Sequence, residues 1–216
     1  MIVVFARDVD DDQVKTFVVE KGAPGFSATK IEDKFSLRTV QNADLTFTGC
    51  RIPAGNKLAG GNTFRDVNKV LKETRAGVAW AGVGCQVGAY EVAVRYAKER
   101  EQFGRPIGGF QLIQDLLARM LGNITASIGM TVRVSQLQED GLLRDDQAAL
   151  AKSYVTSRGR ETVAWARELF GGNGIVLDYD VVRYFNDAEA LYSYEGTREM
   201  NTLIVGRSIT GLSAFV

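Results

Sequence analysis

The sequence predicts an α+β protein that is mainly helical, with a partial antiparallel β-domain followed by an antiparallel helical bundle. Up to about residue 57 the apolar residues follow the two-residue period of strands, and beyond it they recur at helical spacing. Three of the resulting helices are about 25 to 35 residues long, which suits a bundle better than a compact α/β domain. We therefore expect the C-terminal part of a β-domain at 1–57 and a helical bundle domain at 58–216.

Four strands are predicted in the first domain, at 2–6, 16–20, 31–37 and 43–52. Aspartates separate the first two strands, and Gly22-Ala23-Pro24-Gly25 separates the second from the third. Strands joined in this way suit an antiparallel sheet or part of a barrel. The chain opens directly on an apolar strand, so we expect it to begin inside a domain.

Five helices are predicted in the second domain, at 64–100, 111–139, 145–170, 181–190 and 197–210. Helix-ending residues follow the first three in turn: Gly104 and Pro106, Asp140-Gly141, and Gly171-Gly172. Small residues along the first helix permit the close approach of a neighbouring helix. These features together predict a bundle of long helices joined by short connections.

Composition limits the chemistry and the partners. Acidic and basic residues number 26 each and the net charge is zero, so nothing indicates nucleic acid or an anionic membrane as a partner. The absence of histidine excludes a Ser-His-Asp triad or a Cys-His dyad within this chain. Cys50 and Cys85 fit no metal spacing, and we predict no metal site. Without a targeting segment, the expected location is the bacterial cytoplasm or an organelle matrix.

Three segments carry candidate functional residues. Tyr194-Glu195-Gly196-Thr197 places a carboxylate beside a glycine, directly ahead of a helix, where a substrate can approach the main chain closely. The other two are Arg100-Glu101-Gln102-Phe103-Gly104 and Leu169-Phe170-Gly171-Gly172-Asn173-Gly174. Each has an ordinary alternative: a solvated acid at a helix N-terminus, a surface arginine, and a helix C-cap. The three segments occur in one chain at these spacings, and together they form a specific pattern.

With these segments the chain resembles the middle and C-terminal parts of the flavin-dependent acyl-CoA dehydrogenases, most closely the glutaryl-CoA dehydrogenase branch. Other stretches that carry the resemblance are Glu20-Lys21-Gly22-Ala23-Pro24-Gly25, Arg75-Ala76-Gly77-Val78-Ala79-Trp80 and Leu203-Ile204-Val205-Gly206-Arg207. The resemblance implies bound FAD, α,β-dehydrogenation of a short-chain acyl-CoA (possibly glutaryl-CoA), and an electron-transfer flavoprotein as acceptor. It also implies a homo-oligomer, either a dimer or a tetramer, and a preceding helical domain and half β-domain outside this chain.

The resemblance makes Glu195 the base that removes the α-proton of the acyl thioester while the β-hydrogen leaves as hydride to flavin N5. Tyr194, Gly196 and Arg75 would contact the substrate. Arg75 has a structural alternative, an ion pair inside the bundle to an acid such as Glu189.

Some relatives carry their base elsewhere, just before the arginine that matches Arg75. That position is Thr74, which cannot act as a base, and Glu73 lies one residue out of register, about 100° round the helix. Glu195 therefore has no rival at the positions known in the family.

A larger set of residues matches cofactor-binding positions of the family. In this chain they are Arg100, Gln102, Phe103, Gln111, Glu168, Leu169, Phe170, Gly171, Gly172, Thr197 and Glu199. The resemblance implies that Arg100 reaches the FAD diphosphate of a neighbouring subunit and that 168–172 wraps its adenosine. Two positions differ: Glu168 stands where many relatives have Gln, and Arg198 where the glutaryl branch usually has His.

Two other functions stay open. An acyl-CoA oxidase would differ only in how readily oxygen reaches the reduced flavin. Alternatively, the chain is a non-catalytic fragment that forms an oligomeric helical bundle without flavin, because a ring held from one side only would be poorly positioned.

Overall fold

The computed structural model describes residues 1–214 and confirms the mainly helical class with small antiparallel sheets. It divides into two compact units, Met1–Leu71 and Lys72–Val216. The division falls inside the first long helix. The domain boundary near residue 57 stays a prediction, because compactness alone does not define a domain.

The first unit contains two β-hairpins. Strand β1 (Ile2–Arg7) pairs antiparallel with β2 (Val14–Val19), with Ile2 opposite Val19. Strand β3 (Phe26–Lys30) pairs antiparallel with β4 (Ala43–Phe47). Within the described residues the two hairpins form separate two-stranded antiparallel sheets, where the sequence suggested an antiparallel sheet or part of a barrel.

The prediction of a strand at 31–37 is also wrong. The strand lies at Phe26–Lys30, where the Phe26 ring stacks on Phe47 of β4 with centroids 5.1 Å apart. The following residues form a loop, in which the Lys34 Nζ donates to the carbonyls of Leu37 and Val40. Apolar residues in this loop alternate as in a strand, but the aromatic pair across the hairpin fixes the register upstream.

Five helices form the rest of the chain, and their bounds agree closely with the predicted ones. They are α1 (Phe64–Glu99), α2 (Gln111–Glu139), α3 (Asp145–Leu169), α4 (Val181–Ser193) and α5 (Arg198–Thr210). Two short strands between α1 and α2 were not predicted: β5 (Glu101–Gln102) and β6 (Arg105–Pro106) form a tight hairpin. No helix within residues 1–214 has the length and apolar character needed to cross a membrane.

Helix α3 is the centre of the second unit and packs against α2, α4 and α5. Small residues let α1 approach its neighbours: Gly88 lies so close to the Tyr184 ring that an added Cβ would come within 2.4 Å of it. A buried polar network joins three helices. The Gln86 side chain of α1 donates to Ser127 Oγ of α2 and to the Val155 carbonyl of α3, each at 3.1 Å. These contacts fix α3, which carries a key residue of the candidate site.

Candidate active site

Glu195 lies in the turn between α4 and α5 and has a left-handed backbone, with φ of 57°. Gly196 follows with φ of 84°. A non-glycine residue in this region costs on the order of 1–3 kcal/mol, and it persists only where surrounding contacts hold it. Side chains from other helices must therefore hold the turn in this conformation.

The first contact fixes the carboxylate. Thr74 on α1 donates from its hydroxyl to Glu195 Oε2 at 2.6 Å, and the Glu195 side chain is half-buried. A hydrogen bond to an ionised carboxylate is stronger than one between neutral groups, so it orients the carboxylate firmly. Glu73 is exposed and accepts from Gln138 instead, consistent with its position out of register.

The second contact fixes the backbone. The Lys152 side chain on α3 is fully buried, and its Nζ donates to the carbonyls of Tyr192 at 2.7 Å and Gly196 at 2.8 Å. Asn201 Nδ2 on α5 donates to the same Gly196 carbonyl at 2.8 Å. The two carbonyls that Lys152 binds flank Glu195 on either side.

Burial lowers the pKa of Lys152 to about 8. The negative charges of Glu195 and Glu199 oppose that shift, and the positive charge of Arg75 adds to it. The sequence analysis missed Lys152. Its signal was a lone cation on the buried face of a helix, with Ala148, Val155 and Thr156 at helical spacing around it.

Arg75 is buried, and its guanidinium pairs with Asp145 in the first turn of α3. The suggested partner Glu189 is wrong, because Glu189 pairs with Arg160 at 2.8 Å. Arg75 Nε is buried and has no hydrogen-bond partner within residues 1–214. The structural alternative for Arg75 is thus an ion pair to a different acid, and its contact with substrate stays a prediction.

The remaining residues of the motif shape the turn. Thr197 is the N-cap of α5 rather than its first residue, and its Oγ1 accepts from the Met200 backbone N–H at 3.3 Å. Glu199 lies in the first turn, where backbone N–H and Thr197 hydrogen bonds lower its pKa. Burial raises the pKa of the Tyr194 hydroxyl, with a further contribution from Glu195. Contacts of these residues with a substrate or flavin stay predictions.

Seven predicted cofactor residues meet in a second place, an open cavity of about 620 Å³. They are Arg100, Gln102, Phe103, Leu169, Phe170, Gly171 and Gly172. Gln111 and Glu168 are exposed and are not among the residues that line this cavity. The volume lies in the usual range for small-molecule sites, about 300–1,000 Å³.

Aromatic rings form much of the cavity wall. Tyr96 stacks on Phe170 with centroids 3.9 Å apart, and Asn173 Nδ2 donates to the Tyr96 hydroxyl at 2.8 Å. Phe103 is 93% exposed at the tip of the β5–β6 hairpin and touches Phe110 edge-on. The sequence analysis missed Tyr96, although it lies one helical turn before Arg100 on the same face of the helix.

The same cavity suits an anion. Arg100 is exposed and forms no ion pair in the part of the chain that the structure describes. The adjoining first turn of α2 has no side-chain cap, so its N–H groups and the partial positive charge of the helix N-terminus are available. Flat aromatic faces beside a free guanidinium fit a ligand with planar rings and phosphates, such as a dinucleotide.

Comparisons with known proteins match most of the chain. The model of the family "Acyl-CoA dehydrogenase, C-terminal domain" matches residues 61–210. An acryloyl-CoA reductase (NADH) of Anaerotignum propionicum is 32% identical over 213 residues, which cover 97% of this chain and 54% of that protein. The chain spans about half the length of the curated relatives it matches.

Solved structures of the same kind match nearly the whole chain. A glutaryl-CoA dehydrogenase from Mycobacterium smegmatis has a TM-score of 0.94 at 36% identity, over 99% of this chain and 55% of that one. A glutaryl-CoA dehydrogenase from the same organism in complex with FADH2 has a TM-score of 0.94 at 30% identity, with the same coverage.

Proposed function

This chain belongs to the acyl-CoA dehydrogenase family, and from that membership we propose that it takes part in the FAD-dependent α,β-dehydrogenation of a short-chain acyl-CoA, with Glu195 as the base. The observation that carries the proposal is the 2.6 Å hydrogen bond from Thr74 to Glu195. A half-buried carboxylate, in a strained turn and with one oxygen already oriented, is arranged to receive a proton at the other.

Glu195 acts by breaking the C–H bond next to the thioester carbonyl. Thr74 occupies Oε2, and Oε1 has no hydrogen-bond partner within residues 1–214, so Oε1 is the oxygen that forms the new O–H bond. The electron pair left on the α-carbon forms the α,β double bond as the β-hydrogen departs with its electrons. FAD, when bound, accepts that hydride.

The open cavity around Arg100 is the place at which this chain would contact the cofactor. Arg100 offers a forked cation for a diphosphate, and Phe103, Phe170 and Tyr96 offer apolar faces. Gly171, with φ of 57°, lets the main chain turn beside the cavity. The resemblance supports contact with the FAD of a neighbouring subunit, so a homo-oligomer is part of the proposal.

A specific relative favours a second candidate. The similarity to an acryloyl-CoA reductase (NADH) supports the same chemistry in the opposite direction. In that direction protonated Glu195 would return its proton to the α-carbon while a hydride adds to the β-carbon. The same residue serves both directions, and the electron partner decides between them.

The experiment that tests the proposal is anaerobic titration of the purified, flavin-loaded protein with butyryl-CoA and glutaryl-CoA. We expect stoichiometric flavin and loss of its visible absorbance on addition of one of these substrates. Re-oxidation by an electron-transfer flavoprotein supports a dehydrogenase, fast re-oxidation by oxygen an oxidase, and NADH-dependent reduction of acryloyl-CoA a reductase. A protein that takes up no FAD contradicts the proposal and favours the non-catalytic helical bundle.

A further inference from the structure

Lys152 is the most unusual buried group in the second unit. Its side chain is 0% exposed on the inner face of α3, although lysine is almost never fully buried. A buried ammonium is costly unless its donors are satisfied. Both carbonyls to which it donates, those of Tyr192 and Gly196, belong to one short segment.

That segment contains the base. Tyr192 lies in the last turn of α4, where carbonyls lack helical partners and a cation is favourable. Gly196 lies directly before the N-cap of α5. Holding both carbonyls fixes the two ends of the turn in which Glu195 has its left-handed backbone.

We propose that Lys152 is a positioning residue for the general base: by binding the carbonyls of Tyr192 and Gly196 it holds the strained turn that aims the Glu195 carboxylate. The inference rests on the proposed role of Glu195. Thr74 then orients the carboxylate, and Lys152 orients the backbone that carries it. Asn201 assists from α5 through the same Gly196 carbonyl.

The alternative is that Lys152 only stabilises the bundle. In that case its replacement would lower stability as much as the replacement of any other buried polar group, without a local effect on the turn. Gln86 provides the matched control, because it is also 0% exposed and also binds a backbone carbonyl, that of Val155, but touches no residue of the turn.

The test compares Lys152→Met with Gln86→Met by hydrogen–deuterium exchange. The Tyr194 amide, bonded to the Ala190 carbonyl, and the Met200 amide report on the two ends of the turn. Lys152→Met should speed exchange there by about tenfold or more while leaving α2 unchanged, because local opening is controlled by local contacts. Gln86→Met should leave the turn as in the wild type.

A kinetic measurement completes the test in flavin-loaded protein. Lys152→Met should lower the rate of flavin reduction by an acyl-CoA about 10- to 100-fold, with little change in KM, as a misplaced catalytic group does. Lys152→Gln keeps neutral hydrogen-bond donors, so its rate of flavin reduction should lie between those of Lys152→Met and the wild type. It also provides a second variant if Lys152→Met does not fold.

The outcomes separate the two proposals. Faster exchange in the turn of Lys152→Met, in a protein that dehydrogenates no acyl-CoA, supports the part of the proposal in which Lys152 holds the turn, and contradicts the proposed function. An active protein in which Lys152→Met changes neither exchange nor flavin reduction overturns the positioning role and leaves the proposed function intact.

Discussion

The Thr74 hydroxyl lies 2.6 Å from Oε2 of Glu195, and this contact joins residues 121 positions apart in the sequence. The resemblance implies that some relatives carry their base at the position that Thr74 occupies here. The structure therefore brings the two alternative base positions of the family to one point in space.

The convergence predicts that the base can be relocated. Glu195→Gln removes the proton acceptor. Adding Thr74→Glu supplies a carboxylate from position 74, which contacts Glu195 in the folded chain. We expect the double variant to reduce bound flavin at least tenfold faster than Glu195→Gln alone, and more slowly than wild type, because geometry is only partly restored. Stopped-flow absorbance measures this, with Glu73→Asp in the Glu195→Gln background as the control. Equal rates in the double and single variants would show that position 74 does not reach the substrate.

Lys152 should make stability rise with pH. Burial lowers its pKa to about 8 from 10.5, so between these values the unfolded chain binds more protons than the native one. The free energy of unfolding then increases through this window. At about 1.4 kcal/mol per pKa unit, the gain is at most roughly 3 kcal/mol.

Urea denaturation of wild type and Lys152→Met between pH 7 and 10.5 measures that gain. The charged groups acting on Lys152 are Glu195, Arg75 and Glu199, and the variant keeps all three. The difference between the two proteins should therefore grow in favour of the wild type as pH rises. If the free energy of unfolding of the two proteins changed with pH in parallel, Lys152 would keep its ordinary pKa when the chain folds.

Replacement of Gly88 by alanine should lower stability. An added Cβ would lie 2.4 Å from the outer atoms of the Tyr184 ring on α4, so Gly88→Ala must displace that ring. We expect a loss of about 1–3 kcal/mol in the free energy of unfolding. Gly84→Ala on the same helix meets nothing within 4 Å and should gain up to about 1 kcal/mol from helix propensity. Thermal unfolding of the two variants gives the comparison, and similar melting temperatures would contradict the packing of α1 on α4.

Arg100 should contribute to cofactor affinity. Its exposed guanidinium at the cavity forms no ion pair within residues 1–214, so Arg100→Gln should weaken FAD binding by about tenfold or more. Arg133→Gln on α2, far from the cavity lining, is the control and should bind FAD as the wild type does. Fluorescence titration of the apoprotein measures both. An unchanged Kd in Arg100→Gln would remove this cavity from the cofactor site.

The helices were predictable because their signals are local. Helical periodicity places α2 over 111–139, and the glycine pair after Leu169 marks the end of α3. Strand β3 was misplaced because strand pairing is not local: its register follows the contact of Phe26 with Phe47, across an intervening loop. Ile31, Phe35 and Leu37 in that loop gave a competing strand-like pattern.

The sequence indicated candidate residues for the site, which stay predictions, but it did not indicate the contacts that hold them. Resemblance indicated Glu195 and Arg100, but Arg75 was given Glu189 as a possible partner where the structure has Asp145. Lys152 was missed because a single lysine on the apolar face of a helix is a weak signal by itself. Its role depends on the carbonyls of Tyr192 and Gly196, which lie 40 and 44 positions away in the chain.

The most direct test of the account is single-turnover flavin reduction in Glu195→Gln, which keeps the shape of the side chain and removes its basicity. With butyryl-CoA or glutaryl-CoA, whichever reduces the wild type, the variant should bind FAD normally and lose about 10²–10⁴-fold in the rate of flavin reduction. Glu73→Gln, one residue from Thr74 on α1, should react like the wild type. Reduction of the flavin in Glu195→Gln at the wild-type rate would contradict the central claim.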